Sequence, residues 1–221
     1  NLFQAGALVS KGLSALGTEF RAGGMATENN NSPGGFLTYI SVMATEDNTT
    51  VVFDDFSTGI KIINYTNGAT PINAVLNEGE SYLIAVASDD GGTPNDLIGT
   101  RITSDKAIVV NSGSGTGSFA DGSGGRDFGI DQIVGSDKVG NEYIFVKGNG
   151  GNVTGDDWEN VLIIANTDNT NVFVNDATTP SYNLENAGDW VVIEGDEYSI
   201  DDNMYVQTSE DVFVYQGIGG D

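Results

Sequence analysis

The sequence contains no cysteine and no histidine. It therefore has no thiol nucleophile, no histidine general base, and none of the usual protein ligands of zinc, copper or haem. A small module stapled by disulfides is excluded as well. These two absences rule out most familiar kinds of catalytic centre, and the chain is expected not to be an enzyme.

Basic residues are scarce. The chain has 8 lysines and arginines against 32 aspartates and glutamates, which gives a net charge of -24 and a pI of about 4.1. Such a chain is a poor electrostatic partner for nucleic acid or an anionic membrane surface. Because the carboxylates are spread over many turns, most of them are expected to form a solvated surface.

Long hydrophobic runs are also missing. None reaches the roughly 18 to 20 residues that span a bilayer, and the opening residues do not form a signal peptide. The sequence starts abruptly at "NLFQAG". We expect an excised or processed segment of a longer protein that does not itself insert into a membrane.

Short runs rich in Val, Ile, Tyr, Phe and Thr fill the chain and are separated by Gly, Asn, Asp and Ser. Their spacing of about 8 to 15 residues is typical of strands, and no apolar stripe of period 3.6 persists for long. The fold class is predicted to be all-β.

The chain also repeats itself. "ATEDNTTVVFDD" (44–55) and "ANTDNTNVFVND" (165–176) are identical at six of twelve positions. Three further matches follow the same order in both halves: "GTEF" with "GNEY", "LNEGESY" with "LENAGDW", and "TSDKAIVV" with "TSEDVFVY". This pattern predicts two tandem β-sandwich-like lobes, 1–118 and 119–221, with a β-propeller-like arrangement as the alternative.

Two segments carry further structural predictions. The acidic block "ATEDNTT" is interpreted as a hairpin turn, because Asp and Asn side chains bond nearby backbone groups and tolerate left-handed backbone angles. Between the halves, the Gly/Ser-rich start of 111–135 is interpreted as a flexible crossing or as a loop that wraps a neighbour. The second part of that segment carries several apolar residues and is expected to pack against a lobe.

Several motifs resemble a known family: "LGTEFRAGG", "ITSDKAIVVNSGSG", "GRDFGIDQIVGSDKVGNEYIFVKGNG" and "NMYVQTSEDVFVYQGIGG". They look like the family named for the amino-terminal region of the IgG Fc-binding protein of mucus. "MATEDNTTV" is similar to its bacterial members, found in large Bacteroidetes surface proteins of type IX secretion, including gliding and adhesion proteins. The resemblance implies an extracellular, non-catalytic, β-rich adhesion module in a long protein that is secreted or lies at the cell surface.

The partners that this resemblance implies are a surface glycan or protein ligand and neighbouring domains of the same long chain. A structural spacer and a carbohydrate-binding accessory of a polysaccharide-acting enzyme are the alternative functions. The resemblance supplies no catalytic residues.

Three acidic loops have the oxygen-rich composition that calcium requires, although none has the spacing of an EF-hand loop. The first two loops differ between the halves, which makes them the better candidates for a specific function. Their predicted calcium ligands are Asp89, Asp90, Asp96, Asp156, Asp157 and Glu159. The third loop offers Asp121, Ser123 and Asp127.

Two aromatic residues are candidate ligand contacts, because sugars stack on exposed rings. Trp158 lies beside the second acidic loop, and Tyr65 in the first half is its predicted companion. Trp190 aligns with Tyr82 in the gapless repeat and is expected to lie in the core.

Overall fold

A long bent strand organises each half of the protein. The computed structural model describes residues 6–26, 36–65, 71–87, 90–93, 95–117, 127–149 and 159–218. It divides into two compact units, Asn1–Lys138 and Val139–Asp221. The predicted division after residue 118 lies earlier than this contact boundary, because residues 127–132 form a strand in the sheet of the first unit.

The first unit contains one eight-stranded sheet. Its strands are β1 (Gly6–Val9), β2 (Gly17–Arg21), β3 (Leu37–Ala44), β4 (Thr49–Asp54), β5 (Ile72–Leu76), β6 (Ser81–Ala87), β7 (Arg101–Gly117) and β8 (Asp127–Gln132). The start of β7 lies between β2 and β4, whereas its second half lies between β3 and β8. Since β7 changes neighbours along its length, one strand contributes to both layers of a sandwich-like unit.

Alternating side chains explain why these segments are strands. In β3, Ile40, Val42 and Ala44 are buried while the residues between them are not, and β4 buries Val51 and Phe53 in the same way. Successive strand residues point to opposite faces, so this period places one face in the core.

The second unit repeats the plan with six strands. They are β9 (Gly140–Val146), β10 (Val161–Ala165), β11 (Thr170–Val174), β12 (Tyr182–Leu184), β13 (Trp190–Ile193) and β14 (Asn203–Gln216). The long strand β14 pairs with β9 and β11 in its first half and with β10 in its second. Short 3₁₀ helices occupy Gly12–Ala15, Ser136–Lys138 and Gly195–Glu197.

The all-β prediction is confirmed, and both units are sandwich-like. The propeller alternative does not describe them, because their strand orders are not four-stranded meanders. The expectation for the second part of 111–135 is also confirmed, since β8 pairs with β7 and Ile133 is buried. The interpretation of the first part as a flexible crossing or loop is wrong for residues 111–117, because they form the end of β7 and pair with neighbouring strands. Among the described residues, no helix combines the length and hydropathy needed to cross a membrane.

The ladder registers define which residues of the two units correspond. Ala44 lies opposite Ile108, and its counterpart Ala165 lies opposite Val212. The gapless match of "TSDKAIVV" with "TSEDVFVY" is therefore shifted by one residue. A similar shift makes Ser81, not Tyr82, the counterpart of Trp190, since Ser81 lies opposite Met43 and Trp190 opposite Ile164.

This shift corrects the prediction for Trp190. Tyr82 faces inward and packs on the Phe53 ring with centroids 6.0 Å apart. Trp190 is only half-buried, and it is not part of the core cluster of the second unit. The core prediction for Trp190 is wrong, because a one-residue change of register moves a side chain to the other face of a sheet.

The hairpin prediction for "ATEDNTT" is also wrong. Both β3 and β4 run antiparallel to β7 and lie along the same edge of it, so they point in the same direction. The acidic block forms a corner: it connects β3, which pairs with the second half of β7 in one layer, to β4, which pairs with the start of β7 in the other. The counterparts β10 and β11 repeat the arrangement along β14.

Hydrogen bonds explain the composition of the corner. In the first unit, the Thr49 hydroxyl donates to the Glu46 carbonyl over 2.7 Å, and the Asp47 carboxylate accepts the Glu78 amide over 3.1 Å. Asn48 adopts the left-handed region at φ 53°. The turn interpretation of these residues holds although the strands do not form a hairpin, and no cation is needed to explain them.

The second unit forms the same bonds. The Thr170 hydroxyl donates to the Thr167 carbonyl, and the Asp168 carboxylate accepts the Ala187 amide, both over 2.8 Å. Asn169 has φ 58°. The motif repeated at 44–55 and 165–176 therefore forms the same corner in both units.

Candidate functional site

Among the described residues that strand pairing places on the outward side of the first unit's second layer, none is charged. This surface, here called the neutral face, is built on β6, β3, the second half of β7, β8 and β1. Cross-strand partners share a face of a sheet, so the ladder fixes its members. They include Leu8, Leu37, Tyr39, Ser41, Met43, Leu83, Val109, Asn111, Gly113 and Ile130.

Large apolar side chains are exposed on the neutral face. The exposed fractions are 73% for Leu8, 56% for Leu83, 39% for Leu37 and 38% for Met43. Contiguous exposed apolar surface marks interaction sites in soluble proteins more often than scattered single residues do. On a chain with net charge -24, a surface free of carboxylates is distinctive.

The centre of the neutral face lacks a side chain at Gly113, which lies between Tyr39 and Ile130. A Cβ atom there would lie 2.3 Å from the Gly129 carbonyl oxygen, so glycine is required for the close approach of β8. Beside it, Tyr39 is half-buried, and burial raises the pKa of its hydroxyl. Like other tyrosine hydroxyls, it is neutral at physiological pH and can donate or accept a hydrogen bond.

The second unit does not repeat the neutral face. Ile164, Leu162 and Phe213 occupy the positions equivalent to Met43, Ser41 and Val109, and all three are buried. The scaffold is duplicated, but this surface is a property of the first unit.

Residues 6–221 match the family model described as IgGFc binding protein. The chain belongs to this family. The resemblance seen in the sequence is confirmed at that level, and the match covers the second unit completely and the first unit from residue 6. Neither the search of curated proteins nor the search of solved structures gives a match.

The acidic residues predicted to bind calcium have separate environments in this family member. Asp90 is exposed, whereas the Asp96 carboxylate accepts hydrogen bonds from the Thr93 amide over 2.9 Å and from its hydroxyl. Glu159 is buried and accepts the Gly148 amide over 2.9 Å. Within the described part of the chain, no group of three or more acidic residues is placed to hold a metal ion.

The other predicted ligands are not described by the structure. Asp89, Asp156, Asp157 and Trp158 lie outside the described residues, as do Asp121 and Ser123 of the third loop. Calcium binding therefore stays a prediction.

Tyr65, the predicted aromatic contact, is 39% exposed, and its hydroxyl contacts the hydroxyl of Tyr82. This hydrogen bond is the main cause that raises the pKa of Tyr65 to about 12, and burial adds to it. Tyr65 thus lies at the rim of the first unit's core, and its predicted partner Trp158 is outside the described residues.

Sequence reasoning missed the neutral face. One signal was available in "LTYISVMA", because both the odd-numbered and the even-numbered positions of this strand carry apolar residues. A strand with one solvated face normally alternates between apolar and polar residues. The sequence alone does not say which of the two apolar sides is covered.

Proposed function

We propose that this chain is an extracellular, non-catalytic ligand-binding module that serves adhesion in a large bacterial cell-surface protein. Membership of the IgGFc binding protein family supports a binding role, and the family description names a protein as the ligand. The observation that supports the proposal most directly is the neutral face.

The free energy of desolvation favours binding at the neutral face over binding at the acidic parts of the surface. Where carboxylates line the surface, a ligand must displace water from them, which costs free energy unless each one gains a partner. On the neutral face, a ligand would cover Leu8 and Leu83, and each fully buried aliphatic side chain contributes about 1.5 to 3 kcal/mol. We propose a protein ligand as the first choice, with a surface glycan as the second outcome of the test.

The non-catalytic part of the proposal rests on the chemistry of the side chains. Cysteine and histidine are absent, and the acids of the corners accept backbone hydrogen bonds. Incubation with a panel of polysaccharides is expected to give no product, and release of a product would show that the module is an enzyme.

One pair of variants tests the site. Leu83→Glu adds a charge to the neutral face, whereas Val75→Glu adds the same charge at another strand of the same unit, where Val75 is 67% exposed. The wild type and both variants are applied to an array of extracellular proteins, including the Fc fragment of immunoglobulin G, and of surface glycans.

We expect Leu83→Glu to weaken binding at least tenfold, while Val75→Glu binds like the wild type. Equal melting temperatures would show that both variants are folded. Binding by Leu83→Glu at wild-type strength would contradict the proposed site, and absence of binding by all three proteins would favour a structural spacer.

A further inference from the structure

Three neutral polar side chains occupy the centre of the neutral face. Tyr39 and Ser41 are neighbours on this face of β3, and Asn111 of β7 lies directly opposite Ser41. All three residues are half-buried. Within the described part of the chain, their side chains form no hydrogen bond, so the two hydroxyls and the carboxamide keep their donors and acceptors for a ligand.

Apolar side chains border this centre. Leu83 is the second cross-strand partner of Ser41, and Met43 follows Ser41 on the same face of β3. Both are exposed. A ligand that covers them also covers Ser41 and Asn111, and a polar group that is buried without a partner costs free energy. The ligand must therefore supply hydrogen bonds at the centre as well as apolar contacts around it.

A neighbouring carboxamide on the same face binds a polypeptide backbone. Gln132 of β8 is the cross-strand partner of Asn111 and is only 4% exposed. Its Oε1 atom accepts the Lys11 amide over 2.7 Å and the Gly12 amide over 2.9 Å. Its Nε2 atom donates to the Gly12 carbonyl over 3.0 Å. One side-chain amide at this surface thus binds both backbone groups of a single residue.

Asn111 carries the same chemical group, and its side chain has no hydrogen-bond partner among the described residues. Its carboxamide offers two donors and an acceptor one strand away from Gln132, and neighbouring strands lie about 4.8 Å apart. The hydroxyls of Tyr39 and Ser41 extend this array along β3. These two residues are separated by about 6.7 Å, which is also the repeat of an extended polypeptide. The array therefore matches the spacing at which an extended segment presents its backbone groups.

We propose that Asn111 determines the specificity of the neutral face by hydrogen bonding to the backbone of an uncharged, extended segment of a protein ligand. The inference rests on the proposed function, because it concerns the same face and the same ligand class. The hydroxyls of Tyr39 and Ser41 bind further along the segment, while Leu83 and Met43 pack against its apolar side chains. Since the described residues of this face carry no charge, a charged segment would bury its charge without a partner, which is costly.

Asn111→Leu separates hydrogen bonding from apolar contact by the sign of its effect. Leucine keeps the branched shape of asparagine and replaces the carboxamide by methyl groups. If the face binds by apolar contact alone, the added apolar surface strengthens binding. Because the hydrogen bonds are lost, we expect binding to weaken about tenfold or more. Asn73→Leu, at an exposed position of β5 in the same unit, is the matched control and is expected to bind like the wild type.

The probe is a displayed library of short linear peptides that contain no charged residue. The wild type, Asn111→Leu, Asn73→Leu and Leu83→Glu each select from this library, and the peptide that binds the wild type best is then synthesised with each backbone amide methylated in turn. Methylation removes one N–H donor. At one position we expect it to weaken binding to the wild type about tenfold and to leave the weaker binding to Asn111→Leu nearly unchanged, because that variant has already lost the bond.

Melting temperatures equal to that of the wild type show that the variants are folded, and Asn111→Ala, which needs no additional space, replaces Asn111→Leu if the latter is destabilised. Binding of the peptide by Asn111→Leu at equal or greater strength would overturn the inference. Equal losses on methylation in both proteins would overturn it too, as would a wild type that selects no peptide, whether or not it binds glycans. If Leu83→Glu loses binding in the first two cases, the neutral face remains the binding site. Binding by Leu83→Glu at wild-type strength would contradict the proposed function and the inference with it.

Discussion

Replacing Thr170 by valine removes one bond of the corner while nearly preserving the side-chain shape. Thr170 is fully buried, and its hydroxyl donates to the Thr167 carbonyl over 2.8 Å. Loss of a typical hydrogen bond costs about 1 kcal/mol, and a buried acceptor left without its donor brings the total to about 1 to 3 kcal/mol. For a unit of fewer than 100 residues, each kcal/mol lowers the melting temperature by about 4 to 8 °C.

Tryptophan fluorescence is the assay, because both tryptophans, Trp158 and Trp190, belong to the second unit. Thr170→Val is expected to lower the fluorescence-detected melting temperature, and Thr179→Val, at an exposed position, is the matched control. Thr49→Val should destabilise the first unit by a similar amount, as followed by circular dichroism. If Thr170→Val melts like Thr179→Val, the hydroxyl does not hold the corner and the argument fails.

Three further predictions concern hydroxyls and ions. Tyr143 donates to the Val212 carbonyl over 2.8 Å, so Tyr143→Phe should cost about 1 kcal/mol in denaturant unfolding with an unchanged slope. The pKa of Tyr65 is raised above its ordinary value of 10.0 to about 12, so its stabilising contribution is complete below pH 10 and is lost as pH rises through about 12. Tyr65→Phe should therefore flatten the alkaline loss of stability, and an equally steep loss would refute this cause. Millimolar calcium is expected to raise the melting temperature relative to chelator by mass action, and an unchanged value would end the calcium prediction.

Strand content and duplication could be predicted from the sequence because both are local signals. Period-two burial in β3 and β4 follows from alternating side chains, and the repeated Asp-Asn-Thr encodes the same backbone bonds at Asp47 and Asp168. The hairpin was wrong for a physical reason. A hairpin and a strand corner need the same left-handed Asn and the same carboxylate acceptors, and they differ only in whether β3 and β4 pair with each other or with the distant β7.

Register and unit boundary depend on contacts that the sequence does not display. The gapless sequence match aligns Thr103 with Thr208, but strand pairing shows that Ser104 is the counterpart of Thr208. The Ser104 hydroxyl donates to the Lys106 carbonyl, and the Thr208 hydroxyl donates to the equivalent Glu210 carbonyl. The predicted boundary after 118 lies within the Gly/Ser-rich segment between the two sequence repeats. The structure assigns β8 to the first unit because β7 needs a partner along its second half.

The neutral face could not be located from the sequence, because alternation in "LTYISVMA" is weak and either side could face the core. Packing decides it: Ile40 and Val42 are buried, which leaves Leu37 and Met43 outside. In the second unit Ile164, which occupies the position equivalent to Met43, is buried instead. Duplicated sequence thus predicts duplicated backbone far better than it predicts duplicated surface.

Oxidation of Met43 with and without bound ligand tests the binding site most directly. Met43 is 38% exposed at the neutral face, and Met204, which is fully buried in the second unit, serves as an internal control. Hydroxyl-radical labelling followed by mass spectrometry measures both rates in one sample. We predict that a saturating ligand from the array slows oxidation of Met43 severalfold and leaves Met204 unchanged; an unaltered Met43 rate with ligand bound would contradict binding through this face.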